Sequence, residues 1–241
     1  MTVLDTPNQT ALLEEKMLRL RSLLKHMGSV MIAFSGGTDS AFLYKVASEE
    51  LGQSALGVTG KSPSVPLHDL EDVKQFVETY QLNHQYIETH EIQNPNYQKN
   101  PPDRCFFCKE ELFTQIEKIR KELGIAWMID GNNADDAGDY RPGQKAGRQL
   151  GVRSPLQEVG MTKEDIRELS RKMGLPTWNK PASACLASRF AYGNSITESG
   201  LRTIDRCEEY LRKMGVRQVR LRHHQKIARL EVMPEDFQKI L

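Results

Sequence analysis

The chain has 241 residues, 39% of them hydrophobic and 27% charged, with a formal net charge of +1. That length can bury a full core in one large domain or one domain with a small appendage, and the composition is that of a globular protein. A charge near zero gives no global attraction to nucleic acid, no apolar run reaches the roughly 18 residues of a membrane span, and no secretory leader is visible, so cytoplasm is the expected compartment.

In chain order, Leu12, Leu13, Met17, Leu20, Leu23, Leu24 and Met27 recur at helical spacing and predict an amphipathic helix over 10–27. The apolar run from Val30 to Phe34 then breaks into Ser35-Gly36-Gly37-Thr38-Asp39-Ser40 and is followed at once by a second helical pattern. This predicts a buried parallel strand, a tight loop and a helix, with glycines that let the backbone approach a ligand and a helix N-terminus that favours an anion. A lysine at the Walker position is absent, which disfavours cleavage between β and γ phosphates. Ser-Gly-Gly-x-Asp-Ser after a strand resembles the PP-loop of the ATP pyrophosphatases. The resemblance implies ATP binding by Ser35, Gly36, Gly37, Thr38 and Ser40, Mg²⁺ on Asp39, and a reaction that adenylates a substrate and releases pyrophosphate.

Ala55 to Thr59 reads as a second strand, Leu67 to Tyr80 as a helix and His84 to Glu88 as a third strand. That rhythm predicts an α/β class, a Rossmann-like parallel sheet with helices on both faces. A proline and asparagine loop over 94–104 delivers Cys105-Phe106-Phe107-Cys108 to the start of a helix. Ala126 to Asp130 is a fourth strand. The loop Gly131-Asn132-Asn133-Ala134-Asp135-Asp136 after it can bind Mg²⁺ or a ribose, and Gly131 is assigned to the nucleotide. The loop is expected to continue through Asp139-Tyr140-Arg141-Pro142-Gly143, where Arg141 can meet a phosphate or carboxylate in bidentate fashion. Thr162-Lys163-Glu164-Asp165 predicts a capped helix start. Cys185 follows amid small residues that leave room for a ligand.

Past Gly193 the pattern changes to a helix followed by two alternating strands, Val219 to Arg222 and Ala228 to Val232. We therefore divide the chain into a PP-loop domain over 1–190 and a small α+β unit over 191–241. A further helix is expected from Glu235 to Leu241, where the sequence stops as though short of the whole fold. Arg220 and Arg222 share a strand face and make a candidate phosphate clamp.

Cys207 falls at helical spacing with Ile204 and Leu211 and is expected to be a buried thiol. Cys105, Cys108 and Cys185 remain. A C-x-x-C pair can be a redox couple, half of a zinc site or two ligands of an iron-sulfur cluster; three cysteines without a fourth suit a [4Fe-4S] cluster with one open iron or a catalytic zinc.

The phosphate loop, Asp139-Tyr140-Arg141-Pro142-Gly143, Trp178-Asn179-Lys180 with Ser188-Arg189-Phe190, and Val219-Arg220-Leu221-Arg222 with Ala228-Arg229 together resemble the LarE family. These are the ATP-dependent sulfur-insertion enzymes of nickel-pincer nucleotide biosynthesis. The resemblance covers residue 10 to the end. It implies a pyridinium biscarboxylic acid mononucleotide as substrate, its phosphate held by Ser188, Arg220 and Arg222, with Arg189 and Arg141 also toward substrate, and a ring-like homo-oligomer. One branch of the family sacrifices a single cysteine where this chain has Ala184. This chain matches the three-cysteine branch, which implies that Cys105, Cys108 and Cys185 hold a [4Fe-4S] cluster carrying an extra sulfide. The alternatives weighed are sacrifice of Cys185, a tRNA thiolase, an ammonia-using ligase and a non-catalytic nucleotide sensor. tRNA is not an expected partner.

Overall fold

A computed structural model of the chain describes residues 7–138, 142–224 and 226–241. Strands β1 (Val30–Ala33), β2 (Ala55–Lys61), β3 (His84–Glu88) and β4 (Trp127–Ile129) form one parallel sheet in the order β3-β2-β1-β4. Parallel neighbours require crossovers. Helix α1 (Pro7–Met27) precedes the sheet, and the crossovers run through α2 (Thr38–Leu51), α3 (Leu67–Tyr80), the single-turn α4 (Pro95–Gln98) and α5 (Arg104–Glu122). After β4 come α6 (Pro142–Gln149), α7 (Pro155–Glu158) and α8 (Lys163–Lys172). Ile129 extends the sheet by a single parallel bridge to Arg153.

Successive strand residues point to opposite faces, and in this sheet both faces are covered. Val30 and Ile32 join Leu20, Leu24, Phe42 and Ile166 on the side of α1, α2 and α8. Met31, between them, joins Leu56, Phe113, Ile116 and Met128 on the side of α5. The first three strands build outward from β1 to one edge, and the chain then returns to place β4 on the other side of β1. The reversal opens a crevice at the carboxyl ends of β1 and β4, where open α/β sheets bind ligands.

The remainder is α9 (Glu198–Lys213) and an antiparallel hairpin of β5 (Val219–His224) and β6 (Ile227–Val232). Thr197 caps α9, its side chain accepting from the Gly200 N–H at 3.2 Å. Leu201 and Ile204 pack with Tyr97, Leu186 and Phe190. A bridge from Phe190 to His223 ties the hairpin to the preceding segment.

Several expectations need correction. Cys207 is exposed. The buried stripe of α9 is Leu201, Ile204, Asp205 and Glu208, so a carboxylate occupies the core position next to the thiol. Gly143 lies in a helix that starts at Pro142, the proline fitting the first turn where its missing N–H costs nothing; Arg141 lies outside the described residues. Ala134–Gly138 and Pro234–Lys239 are 3-10 turns, the latter in place of an α-helix.

Candidate active site

The loop after β1 is shaped by its glycines. Gly36 has φ 72°, and a Cβ there would lie 2.8 Å from Val73 Cγ2. Ser40 Oγ donates to the Gly37 carbonyl at 3.2 Å and lies 3.1 Å from Ser35 Oγ, closing the turn. Gly37 is the N-cap of α2 and makes no side-chain cap, which leaves the first N–H groups of the helix for an anion. The Thr38 hydroxyl donates to the Thr177 carbonyl at 2.7 Å, so Thr38 can offer a ligand only its backbone. Gly131 passes directly over this turn: a Cβ would stand 2.8 Å from Ser40 N. Only glycine permits the β4 loop to come so close.

Asp39 faces the opening from the first turn of α2. Its Oδ1 accepts from Lys163 Nζ at 2.7 Å and its Oδ2 from Asn133 Nδ2 at 3.3 Å. A carboxylate so held, with Asp130 and Asp136 on the same cleft, is a hard oxygen donor of the kind Mg²⁺ takes. Burial raises Asp130 above the usual carboxylate range, against hydrogen bonds from Ser154 and the Asn132 N–H. The cleft measures about 590 Å³, within the range of a nucleotide-sized site. Ser35, Gly37, Asp39, Ser40, Gly131 and Cys105 all line it, with Lys109 and Tyr192.

Cys105 and Cys108 lie in the first turns of α5, Cys105 exposed and Cys108 half-buried. Cys185 is half-buried, and with Cys108 it packs against the cluster of Tyr97, Leu186 and Phe190. Burial pushes the Cys108 thiol well up, and the charges of Glu91 and Cys185 push it further. Burial and the charge of Cys105 raise Cys185, while the Arg104 guanidinium opposes them. The three thiols are thus electrostatic neighbours, and a bound cation would offset the cost of ionising them. Soft thiol donors of this kind fit an iron-sulfur group. Among the described residues, no group of three or more His, Cys, Asp or Glu is arranged to hold a metal ion as it stands. Glu91, 2% exposed, takes the Ser62 hydroxyl at 2.5 Å on one carboxylate oxygen, and its other oxygen is buried with no hydrogen-bond partner among the described residues.

In the hairpin, Arg222 donates from Nη1 to the Ser188 carbonyl at 2.8 Å and from Nε to Glu231 at 2.9 Å. Arg222 therefore lies against Ser188, and Arg220 stands two residues along the same strand face. Arg189 touches this group only at the Ser188 hydroxyl, at 3.0 Å, and is otherwise committed elsewhere. It is 4% exposed, fully paired with Glu208 at 2.8 and 2.9 Å, and donates also to Ala184 O and Ser188 Oγ. Its role is to neutralise the buried Glu208, whose carboxylate also accepts from the Leu221 N–H at 2.8 Å. Two further residues at the site, Lys163 and Glu91, gave no sequence signal for it, whereas Lys180 belongs to the Trp178-Asn179-Lys180 motif. Lys180 sits on the Gly36 carbonyl at 3.2 Å.

No protein-family model matches the chain. An uncharacterized protein of Synechocystis is 43% identical over 230 residues, 95% of this chain and 86% of the relative. The pyridinium-3,5-bisthiocarboxylic acid mononucleotide synthase of Lactiplantibacillus plantarum is 34% identical over 226 residues, 93% of this chain and 82% of the relative. More distantly, a polypeptide of the glutamine-hydrolysing GMP synthase of Thermoplasma volcanium is 25% identical over 169 residues, 64% of this chain and 54% of the relative. Identity of this extent with the mononucleotide synthase, on a phosphate loop at the switch point of a parallel sheet, places the chain in the LarE family of PP-loop ATP-dependent sulfurtransferases.

Proposed function

We propose that the chain binds ATP, adenylates a carboxylate of pyridinium-3,5-biscarboxylic acid mononucleotide and converts it to a thiocarboxylate for the nickel-pincer nucleotide. The observation that carries this reading is that Cys105 lines the same cleft as Gly37, Asp39 and Ser40. The likeness to the Lactiplantibacillus synthase supplies the substrate class. A substrate carboxylate oxygen attacks the α phosphorus of ATP, and the bond to the β phosphate breaks. Pyrophosphate leaves into the N–H groups of Gly37 and the first turn of α2, where Asp39 would hold a Mg²⁺ ion that would carry the developing charge. Lys163, now on Asp39, is placed to share that charge. A sulfur nucleophile then attacks the acyl carbon, and AMP departs with the original carboxylate oxygen. Ser188, Arg220 and Arg222 hold the mononucleotide phosphate, which makes the unit over 191–241 the substrate-binding part.

Cys105, Cys108 and Cys185 are the residues that would hold a [4Fe-4S] cluster, whose open iron supplies sulfide already deprotonated at neutral pH. Cys185 then serves as ligand and is not consumed. The test is anaerobic reconstitution with iron and sulfide, followed by single turnover with ATP, Mg²⁺ and the mononucleotide. Expected are broad absorption near about 400 nm that any one cysteine-to-alanine change abolishes, thiocarboxylate product, and an unchanged intact mass at Cys185. Absorption indifferent to all three substitutions would remove the cluster, and loss of the Cys185 sulfur would make that residue a sacrificial donor. A homo-oligomer belongs to the same reading and is measured by light scattering.

A further inference from the structure

Between the phosphate loop and Cys185 runs a strap over 177–185 whose anchoring the reaction scheme does not use. At one end Thr177 O accepts from Thr38 on α2, and at the other Leu186 N donates to Ser64 O at 2.8 Å. Between these ends Pro181, Ala182 and Ser183 are exposed. The middle is fastened by one buried carboxylate. Asp69 on α3 is 7% exposed, accepts from Ser183 Oγ at 2.6 Å on Oδ2 and from Lys180 Nζ at 3.2 Å on Oδ1. Lys180 also meets Asp72 at 2.7 Å and donates to the Gly36 carbonyl at 3.2 Å. The Gly36–Gly37 peptide is planar and trans, so its carbonyl and N–H point opposite ways. With the carbonyl turned to Lys180, the Gly37 N–H is turned to the other side, and Gly37 lines the cleft.

We propose that Asp69 is a positioning residue: through Ser183 and Lys180 it clasps the Cys185-bearing strap to the phosphate loop, setting the sulfur site and the phosphate-facing N–H in one register. The inference rests on the sulfur-transfer reading for its consequence, and on the strap's hydrogen bonds alone for its geometry. A carboxylate taking two charge-assisted or short hydrogen bonds holds what it holds by about tenfold or more in an opening equilibrium. Without it adenylation still begins, but the strap samples positions from which sulfur cannot be delivered.

Two readouts on Asp69→Asn and Ser183→Ala test this. The first is backbone hydrogen exchange at Lys180 and Leu186, whose amides are bonded to Thr177 and Ser64. Exchange there is expected to quicken about tenfold in Asp69→Asn and about threefold in Ser183→Ala, with α1 unchanged. The second is thiocarboxylate formed per pyrophosphate released, which is expected to fall about tenfold in Asp69→Asn. A general loss of folded protein lowers both products together and leaves that ratio alone. Wild-type exchange and an unchanged ratio in both variants would overturn the clasp. If Asp69→Asn does not fold, Ser183→Ala decides, since Ser183 is exposed. If the wild type makes no thiocarboxylate, the sulfur-transfer reading fails, and the exchange rates still decide whether Asp69 holds the strap.

Discussion

Asp39 and Arg189 show how differently two charged residues singled out from sequence are used. Asp39 keeps a carboxylate at the cleft with one oxygen on Lys163 at 2.7 Å. Asp39→Asn keeps the shape and removes the charge that a metal on the phosphates requires. Pyrophosphate release should fall by about 100-fold or more while the urea midpoint stays close to wild type; an undiminished rate would remove Asp39 from the chemistry. Arg189, in contrast, commits its guanidinium to Glu208, whose side chain is completely buried. Arg189→Met would leave that buried carboxylate only the longer pairing with Arg212 at 3.3 Å and the Leu221 N–H, at a cost of about 1.5–3 kcal/mol. A large fall in unfolding free energy is expected, whereas a variant as stable as wild type, impaired only in substrate affinity, would restore Arg189 to the substrate. Cys207 illustrates the limit of periodicity at this scale. Helical spacing allowed either the thiol or Glu208 to face inward. The choice was made by an arginine nineteen positions away in the chain.

At the scale of elements, the strand, loop and helix from Val30 to Leu51 were legible because an apolar run, two glycines and a new period follow without a gap. The span Leu67–Tyr80 and the strand His84–Glu88 were read correctly for the same reason. The helix from Pro142 was not read, since a Pro-Gly pair signals a turn unless its place at a helix start is known. The partners of the site's lysines were invisible, although Lys180 stood in the Trp178-Asn179-Lys180 motif: Lys163 meets Asp39 across 124 positions and Lys180 meets Gly36 across 144. No local pattern encodes such contacts. The junction of β1, β2 and β3 carries a pH dependence. Thr59 donates its hydroxyl to the Phe34 carbonyl at 2.8 Å and so accepts from His84 Nε2 at 2.9 Å, which puts the proton of the neutral ring on Nε2. Burial, and then the Lys61 ammonium, push His84 down to about 4 from 6.5. Between those values the unfolded chain binds the extra proton, so stability is complete above about 6.5 and declines as pH falls toward about 4. Denaturation at pH 7 and pH 5 should show the loss, reduced in His84→Asn; equal midpoints in the wild type would contradict it.

For the molecule as a whole, the order β3-β2-β1-β4 puts the phosphate loop and the Gly131 loop side by side, and the start of α5 brings Cys105 to their cleft. The α9 and hairpin unit is fastened through Glu208, to Arg189 on one side and the Leu221 N–H on the other, so Arg222 lies against Ser188. Among the described residues no helix is long and apolar enough to cross a membrane. The account requires that ATP and the acid meet in this cleft and form an acyl adenylate before any sulfur moves. The most direct measurement uses mononucleotide whose carboxylates carry heavy oxygen, and locates the label after one turnover. One heavy oxygen in the AMP phosphate for each thiocarboxylate formed is the predicted result. Unlabelled AMP, or label found in pyrophosphate, would contradict it.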